Sequence, residues 1–190
     1  MPDGPVGIQK RYPTAVPVAG VATLGGILFS GAFPSLNADR LVQLHEQEVR
    51  DLIVFASEPP GAGDVVVPIE ISPEGLPALK SVGRGVPAQE ADFRTDVDIE
   101  HGLSFTTGSF RGVKINAPRV WDSAGRSAPI FLRMRQDGSR LVGHKVIPRS
   151  FLSAASYPVF ADTTSTFYPD PNPETTTVDG MAQRIGAGTW

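Results

Sequence analysis

Three histidines, His45, His101 and His144, are the side chains of this sequence best suited to proton transfer near neutral pH. They fall in separate segments with no His-x-His or His-x-x-x-His spacing. No serine occupies a Gly-x-Ser-x-Gly elbow. A triad is assembled in space, so distant residues could still meet, but a lone histidine is a weak signal and His144 reads as a surface or strand residue. Asp96, Asp98 and Glu100 offer carboxylates for glycoside hydrolysis or metal binding. At i, i+2 and i+4 they share one strand face, whereas glycosidase carboxylates flank a substrate from two sides, so a solvated strand face is the better reading. Asp170, Asn172 and Glu174 repeat the alternate-ligand spacing of a calcium loop, yet Pro171 and Pro173 stiffen the segment and the mid-loop glycine is missing. These three are weak calcium candidates beside a polyproline-like linker reading. The glycines at 25–26, 61 and 63, and 83 and 85 match neither a dinucleotide fingerprint nor a P-loop, so no cofactor is expected. Arg133, Arg135, Arg140 and Lys145 line an expected hairpin, as a solvated face or a small basic patch for an acidic partner or glycan.

Composition narrows the function classes. The 190 residues carry a net charge of -3, which supplies no basic excess for a phosphate backbone, so no nucleic acid is expected as a partner. With 41% apolar residues the chain can bury one good core. Cysteine is absent, which excludes disulfides and thiolate chemistry. Lys10 and Arg11 precede an apolar run from Val16 to Phe29, and Ser30-Gly31-Ala32 resembles a cleavage site. Pro17, Gly20, Gly25 and Gly26 break that run, which argues against a signal peptide and against a membrane span.

The elements that would position any site read as strands. The 20 glycines and 18 prolines imply many chain reversals and few long helices. Residues 36–56 fit a helical face capped by Asn37, or a hairpin of Leu41–Leu44 with Leu52–Phe55; strands are favoured. Val65–Ile71 is β-branched and bounded by turns, with Pro68 suited to an edge or bulge. Residues 72–91 read as a long connection. Strict alternation over Asp96–Glu100, the run Phe110–Ile115, and an Asp137-Gly138 hairpin joining Ile130–Arg135 to Leu141–Ile147 complete an antiparallel pattern. The expected fold is an all-β, antiparallel β-sandwich, jelly-roll-like or Ig-like, with extended N- and C-terminal arms. Its expected parts are an arm over 1–15, the sandwich over 16–162, and a linker, arm or start of a β-rich domain over 163–190.

The motifs Trp121-Asp122-Ser123-Ala124-Gly125, Leu152-Ser153-Ala154-Ala155 and Tyr157-Pro158-Val159-Phe160-Ala161-Asp162, followed by Thr166-Phe167-Tyr168-Pro169-Asp170 and Val178-Asp179-Gly180, carry a resemblance. They resemble a β-sandwich module of phage and environmental-virus structural proteins and of bacterial surface proteins, over about residues 103–182. The closing Asp162 precedes Thr163 here, where similar modules often place proline. The resemblance implies a structural setting on a virion or at the cell surface, and no catalytic residue. Physically, Asp122 and Gly125 are turn formers, Trp121 would bury its ring at the turn's base, and Pro158 suits an edge strand.

The sequence thus points to a non-enzymatic assembly protein acting through copies of itself or other structural subunits. The alternative is an adhesion, carbohydrate- or receptor-binding module using Phe167, Tyr168 and Trp190 as a contact platform. A hydrolase is the minor alternative.

Overall fold

Alternation with a period of two dominates the chain, and strands follow. The computed structural model describes residues 8–45, 48–73, 77–81, 84–85, 91–93, 97–101, 112–138 and 140–167. In chain order the strands are β1 (Ile8–Arg11), β2 (Val21–Thr23), β3 (Gly26–Phe33), β4 (Ala38–Leu44), β5 (Glu48–Phe55), β6 (Val65–Pro73), β7 (Pro77–Ser81), β8 (Arg84–Gly85), β9 (Ala91–Phe93), β10 (Val97–His101), β11 (Gly112–Ile115), β12 (Arg119–Asp122), β13 (Ser127–Pro129), β14 (Phe131–Asp137), β15 (Arg140–Ile147), β16 (Val159–Ala161) and β17 (Ser165–Phe167). A 3-10 turn at Pro34–Leu36 and one helical turn, α1 (Arg149–Leu152), are the helical pieces among the described residues.

Two antiparallel sheets result. One runs β1-β6-β15-β14-β9; the other runs β13-β12-β16-β5-β17-β11-β10-β7-β8, and β4, β3 and β2 extend it from the other side of β5. The fold is all-β and sandwich-like. Alternation explains the core. Val65, Val67, Ile69 and Ile71 of β6 are buried, while Val66 between them is half exposed. Leu132 and Met134 of β14 join them, and Phe33, Ala38, Ile53, Phe55, Val120, Val159 and Ala161 of the other sheet close one continuous apolar cluster. Burying each large aliphatic or aromatic side chain contributes about 1.5–3 kcal/mol before entropy is counted.

Residues 36–56 form the β4–β5 hairpin, with Leu41 opposite Leu52 and Leu44 opposite Val49. The Asp137-Gly138 turn closes β14 on β15 with Asp137 opposite Arg140, and Gly138 sits at φ 61, where glycine is favoured. Pro68 pairs with His144 of β15, but the β1 register ends at Arg11 opposite Glu70. Among the described residues, proline therefore stands where β6 has a neighbour on one side only.

Three expectations are corrected. Residues 8–12 are no arm: β1 pairs with β6, and Tyr12 is 4% exposed within the core. Thr163 and Thr164 are buried and β17 pairs with β11 and β5, so residues 163–167 belong to the sandwich, and only 168–190 of the expected C-terminal arm lie outside the described residues. The 72–91 connection carries β7 and β8. A further correction concerns Pro158, which precedes β16 at a cis Tyr157–Pro158 bond; β16 itself lies between β12 and β5 and is no edge.

Candidate functional site

Two places in the molecule have properties beyond ordinary packing. The first is the β2–β3 hairpin. Leu24 and Gly25 make its turn, with Thr23 opposite Gly26. Thr23 Oγ1 accepts from the Gly25 N–H at 3.2 Å and donates to the Gly26 carbonyl at 3.0 Å. Gln43 Nε2 on β4 donates to the Gly25 carbonyl at 2.8 Å. Gly26 has φ 134, and a Cβ there would stand 2.2 Å from the Val42 carbonyl oxygen, so the close approach of β4 demands glycine. This well-fixed hairpin presents apolar side chains to solvent. Val21 is 62% exposed, Leu24 fully so, and Val16 just before the hairpin is 42% exposed. Among the described residues β2 pairs with β3 alone, and no charged residue occurs between Arg11 and Asp39. Edge strands are usually protected by charges, especially lysine, and this one has none.

The second place is a polar cluster between the sheets. β1 and β15 contribute Lys10 and Lys145 from one sheet; β4 and β5 contribute Arg40 and Asp51 from the other; Asp162, Thr163 and Thr164 enter between β16 and β17. Arg40 donates to both carboxylate oxygens of Asp51, Nε to Oδ1 and Nη2 to Oδ2, each at 2.9 Å. Lys145 is 0% exposed and donates to the Ala161 carbonyl at 3.2 Å. Lys10 Nζ donates to the Thr163 carbonyl, and Thr164 Oγ1 to Asp162 Oδ2. Tyr12 lies beneath the cations, its ring centre 5.4 Å from the Arg40 guanidinium carbon and 5.7 Å from Lys145 Nζ, with its edge against Phe33. The buried hydroxyls of Tyr12 and Thr163 lie within reach of each other without the geometry of a good hydrogen bond, and Asp162 Oδ1 is buried with no hydrogen-bond partner among the described residues.

Electrostatics follow from burial. Loss of hydration pulls Lys10 and Lys145 each down to about 8, against the upward pull of Asp51 and Asp162. Burial pushes the Asp51 carboxyl up, but the Arg40 hydrogen bonds and charge, with the two ammonium groups, outweigh it and hold Asp51 below the usual carboxylate range. Burial also lifts the Tyr12 phenol well above its ordinary value, with the Asp51 charge adding to it.

The residues named from the sequence are dispersed. Asp122 is a buried turn carboxylate: Oδ1 accepts from the Ala124 and Arg126 N–H groups and Oδ2 from Ser156 N–H at 3.0 Å. Those backbone bonds, Ser156 first, hold its acidity above that of an ordinary carboxyl. Gly125 takes φ 82 in the turn. The Trp121 ring is only half-buried and stacks on Phe160 with centroids 5.7 Å apart. Tyr157 donates its hydroxyl to the Leu152 carbonyl at 2.9 Å. His45 ends at the β4–β5 turn, His101 lies on β10 and His144 on β15, opposite Arg133. Lys145 leaves the expected basic face altogether, because it shares the inward phase of Leu141 and Ile147; Arg133 pairs with Asp92 and Arg140 with Asp137. Asp98 and Glu100 lie on β10, with Asp98 opposite Lys114 of β11. Asp96, Tyr168, Asp170, Asn172, Glu174 and Trp190 are outside the described residues, and so is the side chain of Phe167. Among the described residues no cluster of three His, Asp or Glu side chains could hold a metal, and no helix is long and apolar enough to cross a membrane.

No sequence motif marks Tyr12, Arg40 or Asp51, and Lys10 stands out only as a charge ahead of the apolar run of 16–29. A signal exists: Asp51 alternates in phase with Val49, Ile53 and Phe55, a charge where an apolar residue belongs. Comparison with protein-family models, curated proteins and solved structures gives no match to the chain.

Proposed function

We propose that the chain is a non-catalytic structural subunit of a virion or surface appendage, which assembles with copies of itself through strand edges. The observation that carries this reading is the β2 edge: unpaired on one side among the described residues, free of charge, and bearing exposed Val21 and Leu24 on a hairpin fixed by hydrogen bonds. A strand edge paired with its own copy about a two-fold axis is self-complementary, and pairing covers both the free backbone groups and the apolar side chains. An uncharged surface offers nothing to an acidic or basic partner, which favours a second copy. The motifs around Trp121–Gly125 and Tyr157–Asp162 favour the virion or surface setting.

Light scattering coupled to size exclusion tests this. The wild-type chain is expected to form a dimer or larger species, and the double variant Val21→Lys, Leu24→Lys to elute as a monomer with unchanged circular dichroism. A wild-type monomer over a hundredfold concentration range sinks the reading.

A further inference from the structure

Two hairpin tips stand side by side at one end of the larger sheet. β4 turns into β5 after Leu44, and β2 turns into β3 at Leu24 and Gly25, where Gln43 Nε2 reaches the Gly25 carbonyl. Both tips expose leucine: Leu44 is 50% exposed and Leu24 fully so. β17 runs toward the same end. It is antiparallel to β5, with Ser165 opposite Val49 and Thr166 opposite Glu48, so the chain that follows it passes the β4–β5 turn. Beyond Phe167 the chain therefore sets out beside two apolar tips. Past them lies β2, whose outer edge has no partner among the described residues.

Residues 168–190 lie outside the described residues, but their sequence sets reach and strand preference. Pro169, Pro171 and Pro173 favour extended backbone rising about 3.1 Å per residue, so the eight steps from Phe167 to Thr175 span about 25 Å. A strand laid outside β2 stands five spacings from β17, across β5, β4, β3 and β2, or about 24 Å. Thr175-Thr176-Thr177-Val178 is the one run of four β-branched residues in that segment; it carries no charge and ends at an Asp179-Gly180 turn signal. β2 is three residues long, Val21–Thr23, and equally uncharged. Because β2 runs toward its tip, a chain that crosses the tips and returns along its edge is antiparallel to it. We infer that Thr175–Val178 pairs antiparallel with the outer edge of β2 in the same molecule, the proline-rich segment crossing Leu44 and Leu24 on the way. This rests on the reading of β2 as the assembly edge and adds its regulation. A closed chain offers no edge, so copies pair only from the open fraction.

The chain has no cysteine, so disulfide trapping reports the pairing directly. Full-length variants carry Ala22→Cys with one of Thr175→Cys, Thr176→Cys, Thr177→Cys or Val178→Cys, and are oxidised at low protein concentration. At least one pair is expected to close within the chain about tenfold faster under native conditions than in urea. Equal rates, disulfides only between chains, or none overturn the proposal. Light scattering reads the competition separately, on the full-length variant Thr176→Pro, Thr177→Pro, in which proline removes backbone donors from both phases of the strand. Its dimer is expected to be tighter than the wild type's by about tenfold or more. An unchanged or weaker dimer overturns the proposal and leaves the assembly reading standing. Monomers in both chains, with the intrachain disulfide formed, support the strand pairing and sink the assembly reading.

Discussion

Asp122 and Asp51 are both buried aspartates, and they are stabilised in opposite ways. Asp122 collects backbone N–H groups from within its own turn and from Ser156, and Arg126 adds a contact at 3.5 Å. Asp51 takes its hydrogen bonds from one guanidinium on the neighbouring strand, and its further partners are charges from β1 and β15. The first carboxylate organises a few residues of chain; the second joins two sheets. A local cap is complete wherever its turn forms. The inter-sheet cluster is complete only when five elements meet, and even then Asp162 Oδ1 has no hydrogen-bond partner among the described residues.

The largest effect expected of a single change is at Asp51. Asp51→Ala removes the main counterion of three cations and should lower unfolding stability by about 3–5 kcal/mol in urea titrations. A loss below 1 kcal/mol would show that solvent or relaxation replaces the pair.

The lysines come next. Their folded pKa of about 8 lies below the ordinary 10.5, so between those values the unfolded chain binds more protons and stability rises with pH. Each lysine contributes up to on the order of 3 kcal/mol over that window. Above pH 10 the raised Tyr12 pKa acts the other way, since the unfolded phenol ionises first. Urea midpoints should therefore climb from pH 7.5 to 9.5, and Lys145→Met should flatten the climb. At the acid end, the lowered Asp51 pKa gives stability that is present above 3.8 and lost as pH falls through the folded value.

Asp122→Ala sharpens the contrast from the local side. It should lower Tm less than Asp51→Ala, leave the alkaline climb intact, and increase hydrogen exchange at Ala124, Arg126 and Ser156. Gly125→Ala is the smallest change. Nothing lies within 4 Å of the added Cβ, so only the φ of 82 is at stake, a cost of about 1–2 kcal/mol by thermal denaturation.

The same contrast explains what could be read from the sequence. The Asp122 turn was legible because donor and acceptor are neighbours along the chain: Asp at one end, Gly three residues on. The Asp137-Gly138 hairpin and the β4–β5 pair were legible for the same reason. Register between distant strands was not, so β1, expected as an arm, joins the sheet through Lys10 opposite Ile71. Lys145 reads as a surface residue from its charge alone. Its alternation with Leu141 and Ile147 points inward, and only a polar partner in the other sheet makes that placement tolerable. The open apolar edge of β2 was legible as an apolar run and not as an edge, since strand order depends on the whole sheet.

The bond from Lys10 to the Thr163 carbonyl spans 153 residues. Lys10 is synthesised long before the matching carbonyl exists. Until residues 161–163 are in place, the two ammonium groups lack the carbonyl acceptors they use in the folded chain, and docking one sheet on the other would bury them with fewer hydrogen bonds. The packing of the two sheets therefore depends on backbone acceptors that lie at the far end of the described chain from Lys10.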